Sequence, residues 1–257
     1  MLLAVDVGNS HMVIGLFDNK NLLCDWRIQT SRGATADELA GRLLGLFQLA
    51  NRCFAEVTGV IIGSVVPPME SVWGQLAKKY LNRQPLFVSG AAIDTGMPIR
   101  TDNPHEVGAD RIINAVAAYS RYKKELIIVD FGTAITFDCV SAKGEYLGGA
   151  IAPGLRISFD ALISKTSKLA RIDISSPPAK AIGTSTETAL QSGLLYGFGG
   201  MVEGLVSRIS REFLPEIPKV IATGGMAGVI APFAPSIEAV EPMLTLEGLQ
   251  IIYARNS

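Results

Sequence analysis

The sequence has little of what builds disulfide scaffolds, metal clusters or membrane spans. Its three cysteines, Cys24, Cys53 and Cys139, are far apart and odd in number among 257 residues. That argues against a disulfide framework or a zinc site, and a reducing, cytoplasmic setting fits best. The two histidines, His11 and His105, are too few for a metal cluster; each reads as a solvated or hydrogen-bonded loop residue or as a contact to phosphate or substrate. No stretch approaches the roughly 20 apolar residues of a membrane helix. Met1 leads straight into a strand-like run without a basic leader, so neither a membrane partner nor export is expected. Charged residues make up 18% and sum to a formal net charge of -1, which leaves no electrostatic footprint for nucleic acid.

Apolar residues are plentiful, at 48%, enough to exclude disorder and to bury one large core or two linked ones. Leu2 to Val7 and Met12 to Phe17 are short apolar runs joined by Gly8-Asn9-Ser10-His11, with a third strand over Leu22 to Ile28, so the chain opens as an antiparallel meander. Thr35 to Ala50 carries helical periodicity, and Thr35 with Glu38 three positions on forms a capping-box pattern. Val57 to Val66 reads as a buried strand stopped by Pro67-Pro68, Ser71 to Leu81 as a helix, and Pro85 to Val88 as a short strand. Alternating strands and helices predict an α/β fold.

From Leu126 the opening pattern restarts. An offset of 124 matches Val5 with Val129, Asp6 with Asp130, Gly8 with Gly132, Asn9 with Thr133 and, in the following turn, Asn19 with Lys143. A repeat this long implies two related domains rather than a solenoid, with the boundary near residues 115 to 125. In each copy a Gly permits a tight turn close to a ligand, and the Asn or Thr beside it supplies a polar side chain. Backbone amides there can receive phosphate oxygens, and the strand-end Asp can hold a hydrated cation. Taken singly, each turn is equally a plain β-turn with a capping Asp. Neither copy is a Walker A loop or a GxGxxG fingerprint. A third apolar strand, from Lys219, runs into Thr223-Gly224-Gly225, a turn able to approach an adenine or ribose, or simply a capping loop.

Between Ala92 and Ala109 turn formers accumulate, and a helix is predicted from about Asp110 to Tyr122. Asp110 and Arg111 sit at its start, after Gly108. A carboxylate there can accept the proton of a substrate hydroxyl, and a guanidinium can grip a carboxylate or phosphate. The plainer alternative is dipole complementarity for Asp110 and a surface ion pair for Arg111.

The paired Asp-Gly turns and the Thr223-Gly224-Gly225 strand resemble the actin and sugar kinase superfamily, which binds ATP between two duplicated RNase H-like domains. A narrower resemblance follows from Asn103-Pro104-His105-Glu106-Val107-Gly108-Ala109-Asp110-Arg111, with Ile112-Ile113-Asn114-Ala115 after it. In order along the chain stand Asp6-Val7-Gly8-Asn9-Ser10, Ser64-Val65-Val66-Pro67-Pro68, Asp130-Phe131-Gly132-Thr133-Ala134, Gly148-Gly149 through Pro153-Gly154, and the ending Leu244-Thr245-Leu246. Together these motifs resemble the type III pantothenate kinases.

That resemblance implies an α/β fold of two RNase H-like domains with an interdomain cleft; with the repeat, it divides the chain into residues 1–118 and 119–257, and a short helix over Gly248 to Tyr253 is expected to return to the first domain. It implies ATP-dependent phosphorylation of pantothenate to 4'-phosphopantothenate, the first step of coenzyme A biosynthesis. Asp6, Val7, Gly8, Asn9, Ser10, His11, Met12 and Val13 would cradle the ATP phosphates, with Asp6 near Mg²⁺ and Thr133 as a further ATP contact. Asp110 would be the general base, and Gly108, Ala109, Arg111 and Thr186 would hold pantothenate. Asp130 would bind a monovalent cation, potassium or ammonium. The implied partner is a second copy, since members are homodimers. One departure is Thr101, where the family commonly has Tyr, which alters the pocket wall. Two other readings stand beside this one: a kinase for another small hydroxylated acid or sugar, and a non-catalytic regulatory protein on the same scaffold.

Trp26, Trp73, Phe47 and Phe54 read as packing residues, and Cys139 as a buried inert thiol. Gly193, Gly197, Gly199, Gly200 and Gly204 lie in a helical stretch, Leu190 to Val206, and point to close helix packing, either in a core or across a dimer interface.

Overall fold

The computed structural model describes residues 1–88, 93–174 and 177–257; Ala92, where the turn-rich stretch is expected to begin, lies outside them. The first half runs β1 (Leu2–Val7), β2 (His11–Asp18), β3 (Asn21–Gln29), α1 (Ala36–Leu49), β4 (Gly59–Ser64), α2 (Pro67–Tyr80), β5 (Leu86–Phe87) and α3 (Ala109–Tyr122). The second runs β6 (Leu126–Phe131), β7 (Ala134–Val140), β8 (Tyr146–Pro153), α4 (Leu155–Ser164), α5 (Thr186–Glu212), β9 (Lys219–Thr223), α6 (Ala227–Ile230), β10 (Ala239–Val240) and α7 (Leu244–Asn256). The chain divides into two compact units. One comprises Met1–Pro98, Asp102–Ser120 and Leu244–Ser257; the other comprises Ile99–Thr101 and Arg121–Met243.

Each unit is built on a mixed five-stranded sheet, in the orders β3-β2-β1-β4-β5 and β8-β7-β6-β9-β10. Three strands form an antiparallel meander and two more run parallel to its first strand's side, so both sheets have one topology. The duplication is closer than the motif match and differs from it in one detail. Asp6 faces Val13 across the first hairpin, whereas Asp130 faces Thr136 across the second. The second turn is therefore one residue shorter, and the offset drops from 124 to 123 beyond it. The bulges agree: the register breaks between Leu16 and Phe17 in one sheet and between Cys139 and Val140 in the other. The pairing of Asn19 with Lys143 is thus displaced by one position.

In the first unit Leu3, Val5 and Val7 join Leu39, Leu43, Phe47, Met69, Trp73 and Leu76 of α1 and α2 in one buried cluster. Trp26 stacks on Phe47 and Phe54 meets the same ring edge-on, with centroids 5.2 and 5.0 Å apart. Strand side chains alternate between faces, and the opposite face of the sheet carries glycine at three positions among buried apolar residues. A Cβ at Gly15 would lie 2.9 Å from Leu246, at Gly59 2.0 Å from the Tyr253 hydroxyl, and at Gly63 2.5 Å from Ile113. Those absent side chains let α7 and α3 lie directly on the strands.

Local signals explain the helix starts. Thr35 accepts from the Glu38 amide at 3.2 Å, and Glu38 accepts from the Thr35 amide at 2.8 Å, completing the capping box of α1. Pro67 and Pro68 do more than stop a strand: they open α2, which begins four residues before the predicted start at Ser71. Proline suits a first helical turn, whose amides have no intrahelical acceptor. In the second unit α5, 27 residues long, is capped by Ser185, and Gly199 lets it approach Phe233, whose carbonyl oxygen would lie 2.2 Å from a Cβ. Gly193, Gly197 and Gly200 meet nothing within 4 Å, so close packing within the chain accounts for one glycine of that stretch rather than for the set.

Candidate active site

The first Asp-Gly turn is a braced hairpin. Asp6, half-buried at the end of β1, lies opposite Val13 on β2 and Gly63 on β4. The Gly8 amide donates to the His11 carbonyl at 3.0 Å, closing the turn and leaving Asn9 and Ser10 exposed at its tip. Val7 and Met12 point into the core, and Met12 accepts through sulfur from the Trp73 indole N–H at 3.4 Å. They anchor the loop, while the backbone, Asn9, Ser10 and the half-buried His11 form its outer surface. Two further residues hold it from the chain leaving β3. Thr30 donates its hydroxyl to the Gly8 carbonyl at 2.7 Å and its amide to the Ser10 carbonyl at 3.0 Å. Arg32 donates to the Asn9 side-chain oxygen at 2.9 Å.

Asp110 occupies the first turn of α3. A short 3-10 turn, Pro104–Glu106, delivers the chain to Gly108, whose carbonyl accepts from the Arg111 and Ile112 amides. The Asp110 carboxylate folds back over this turn and accepts from the Arg111 amide at 2.9 Å. A Cβ at Gly108 would lie 2.5 Å from its Oδ1, so the carboxylate can take this position because residue 108 has no side chain. Burial pushes the Asp110 carboxyl above the usual carboxylate range; the Arg111 amide and guanidinium oppose that shift without cancelling it. Ala109 and Arg111 are half-buried beside it, and His105 is exposed.

In the second unit Asp130 ends β6 beside Gly132 and Gly224. The Gly132 amide closes its turn on the Ala134 carbonyl at 3.0 Å, and Thr133 is exposed at the tip. Gly154, which opens α4, donates its amide to the Thr133 carbonyl at 3.1 Å, and a Cβ on it would sit 2.2 Å from that oxygen. Gly224, at φ +91°, is pressed equally closely against Asp130. Thr186 is exposed on the first turn of α5, beside Lys168, Arg171 and Glu187 on a cavity of about 430 Å³. The Thr101 hydroxyl oxygen is buried without a hydrogen-bond partner, and a Cβ at Gly148 would meet its methyl at 3.6 Å.

The first unit therefore carries Asp6 to Val13 together with Gly108 to Arg111, and the second carries Asp130, Thr133 and Thr186. Thr30 and Arg32 are not evident from the sequence, since their link to the turn depends on β3 returning beside β2. Among the described residues no group of three or more His, Cys, Asp or Glu side chains is arranged to hold a metal ion. A Mg²⁺ held by one carboxylate and by nucleotide phosphates needs no such group, and Asp6 beside the Gly8 turn fits that donor set. A larger cavity, about 490 Å³ and bounded by Thr35, Asp37 and Lys79, contains none of these residues. Its Asp37 is taken by Lys79 and Tyr80 at 2.9 and 2.8 Å. No helix among the described residues is long and apolar enough to cross a membrane.

Comparison with known proteins agrees with this architecture. A family model described as type III pantothenate kinase matches residues 2–208. The type III pantothenate kinase of Desulfatibacillum aliphaticivorans is 52% identical over 264 aligned positions, which cover 100% of this chain and 99% of the relative. Among solved structures, a candidate Baf family transcriptional activator from Campylobacter jejuni superposes with a TM-score of 0.63 at 18% identity, covering 99% of this chain and 98% of that one. The inorganic polyphosphate/ATP-glucomannokinase of Arthrobacter sp. strain KM superposes with a TM-score of 0.52 at 17% identity, covering 100% and 99%. At such identities the structures establish the shared fold, that of the actin-like ATPases and sugar kinases. The family model and the half-identical, full-length relative go further: the chain belongs to the type III pantothenate kinase family.

Proposed function

We propose that this chain transfers the γ-phosphoryl group of ATP to the terminal hydroxyl of pantothenate, giving 4'-phosphopantothenate and ADP. The observation that carries the reading is the Asp110 carboxylate, half-buried at a helix start, with its proton affinity raised by burial. A base tuned upward from the ordinary carboxylate range is better matched to the proton of an alcohol. In the transfer, the hydroxyl proton passes to Asp110 as the oxygen bonds to the γ-phosphorus and the bond to the β–γ bridging oxygen breaks. Arg111 would hold the pantothenate carboxylate, with Gly108 and Ala109 giving close backbone approach and Thr186 a further contact.

The Gly8 turn, with Asn9 and Ser10 outward, would cradle the phosphates through backbone amides, and Thr133 would meet the nucleotide. Asp6 would hold Mg²⁺, which would supply charge neutralisation to the phosphates. Asp130 would hold a monovalent cation, potassium or ammonium. We also read the protein as a cytoplasmic homodimer. Exposed Ile151, Ile157 and Leu162, at 66, 47 and 41% exposure, supply apolar surface for a second copy, and sedimentation analysis tests that reading.

The test of function is phosphopantothenate formation from ATP, Mg²⁺, potassium and pantothenate, beside Asp110→Asn. Product formation by the wild type and its collapse in the variant are expected. A wild type that ignores pantothenate while phosphorylating another alcohol overturns the substrate; a fully active variant overturns the base.

A further inference from the structure

Among the described residues, Asn114 is the one polar side chain of the first unit that is essentially sealed from water, at 1% exposure. It lies one helical turn after Asp110, on the same face of α3, and a helical side chain covers the turn that precedes it. Its side-chain oxygen accepts from the Thr245 hydroxyl on α7 at 2.7 Å. A buried amide left without partners destabilises the fold, and an apolar side chain would fill this space at no such cost, so a polar pair here points to geometric specification.

The neighbouring residue is gripped as closely. A Cβ at Gly248 of α7 would lie 2.2 Å from the Ile113 carbonyl oxygen, and one at Gly63 of β4 would lie 2.5 Å from the Ile113 side chain. Gly63 is in turn the strand partner of Asp6. The turn beneath Asp110 is therefore wedged between α7 and the strand that flanks the Asp6 loop. Backbone contact holds it close to α7, and the directional Thr245–Asn114 hydrogen bond is a further link between the two helices.

We propose that Asn114 and Thr245 are positioning residues for phosphoryl transfer: their hydrogen bond sets the rotation of α3, and with it the direction in which Asp110 presents its carboxylate. This rests on the reading of Asp110 as the base. The hydrogen bond joins two elements outside the catalytic loops, and neither side chain is required to touch substrate.

Thr245→Val removes the donor while keeping the shape, and Thr245→Ser keeps the donor. The measurement is kcat together with KM for ATP and for pantothenate, at a temperature where thermal unfolding shows each variant fully folded. Thr245→Val is expected to lose about 10- to 100-fold in kcat, the scale of a small misplacement of a reacting group, with each KM within about twofold. Thr245→Ser is expected to recover most of the loss. A Thr245→Val enzyme with wild-type kcat overturns the proposal, as does a loss confined to KM or one that serine fails to repair. Thr245→Ala carries the same expectations should valine prevent folding. Asp110→Asn is assayed in parallel. If it is inactive while Thr245→Val is fully active, positioning alone is refuted; if it stays active, the base reading falls and this proposal with it.

Discussion

The carboxylate of Asp130 occupies the space that a side chain at Gly224 would need: a Cβ there would lie 2.3 Å from its Oδ1 and 2.7 Å from the Phe131 amide nitrogen. At φ +91° Gly224 is also in a backbone region that other residues enter at a cost. Gly224→Ala should therefore destabilise the protein by about 1–3 kcal/mol and displace Asp130. Urea unfolding measures the first effect. A potassium titration of activity measures the second, with weaker activation expected; unchanged activation would count against Asp130 as the cation ligand.

Thr30→Val keeps the branched shape but deletes the hydrogen bond to the Gly8 carbonyl. The net loss in stability should be about 0.5–1.5 kcal/mol. Because that bond braces the proposed phosphate loop, KM for ATP should rise while KM for pantothenate stays put. Steady-state kinetics with each substrate varied in turn decides this, and an equal rise in both would point to general loosening.

Asp110 should link activity and stability in opposite senses. Burial raises its folded-state pKa, so the folded chain holds this proton more tightly than the unfolded chain does. Its contribution to stability is greatest below the ordinary carboxyl pKa of about 3.9 and is lost as pH rises through the raised folded value. The base must be ionised to work, so activity falls as pH drops through that same folded value. Asp110→Asn should lose about 10²–10⁴-fold in kcat and yet melt higher than wild type at about pH 7. A variant that melts lower would contradict the burial argument.

Thr35→Ala tests a cap outside the proposed site. Loss of the Thr35–Glu38 box should cost about 1 kcal/mol, read as a lower melting temperature, with kcat and both KM values unchanged. A change in kcat would couple the N-terminus of α1 to catalysis.

Signals confined to a few residues were legible in the sequence: the Thr35–Glu38 cap, the 3.6-residue periodicity of α1, and the repeated Asp-Gly turn that anticipates two sheets of one topology. Pro67-Pro68 was legible as punctuation but ambiguous in direction, because proline ends a strand and opens a helix by the same lack of an amide donor. What the sequence could not reveal depends on distant chain segments meeting. Thr30 and Arg32 look ordinary until β3 pairs with β2. The glycines at 15, 59 and 63 carry no signal until helices are laid on them. The one-residue difference between the two hairpins is visible only in the pairing of Asp130 with Thr136.

Thr245 and Asn114 stand 131 positions apart in sequence. Helix α7 is laid on strands from the beginning of the chain, so the first unit is assembled from both ends. During synthesis the N-terminal sheet must wait, with the part of its face under α7 uncovered, until residues 244–257 have been made. Closing so long a loop is slow, and the exposed face is a surface on which a nascent chain can aggregate. Truncation of the last 14 residues should therefore harm the recovery of soluble protein from refolding far more than their small share of the sequence suggests.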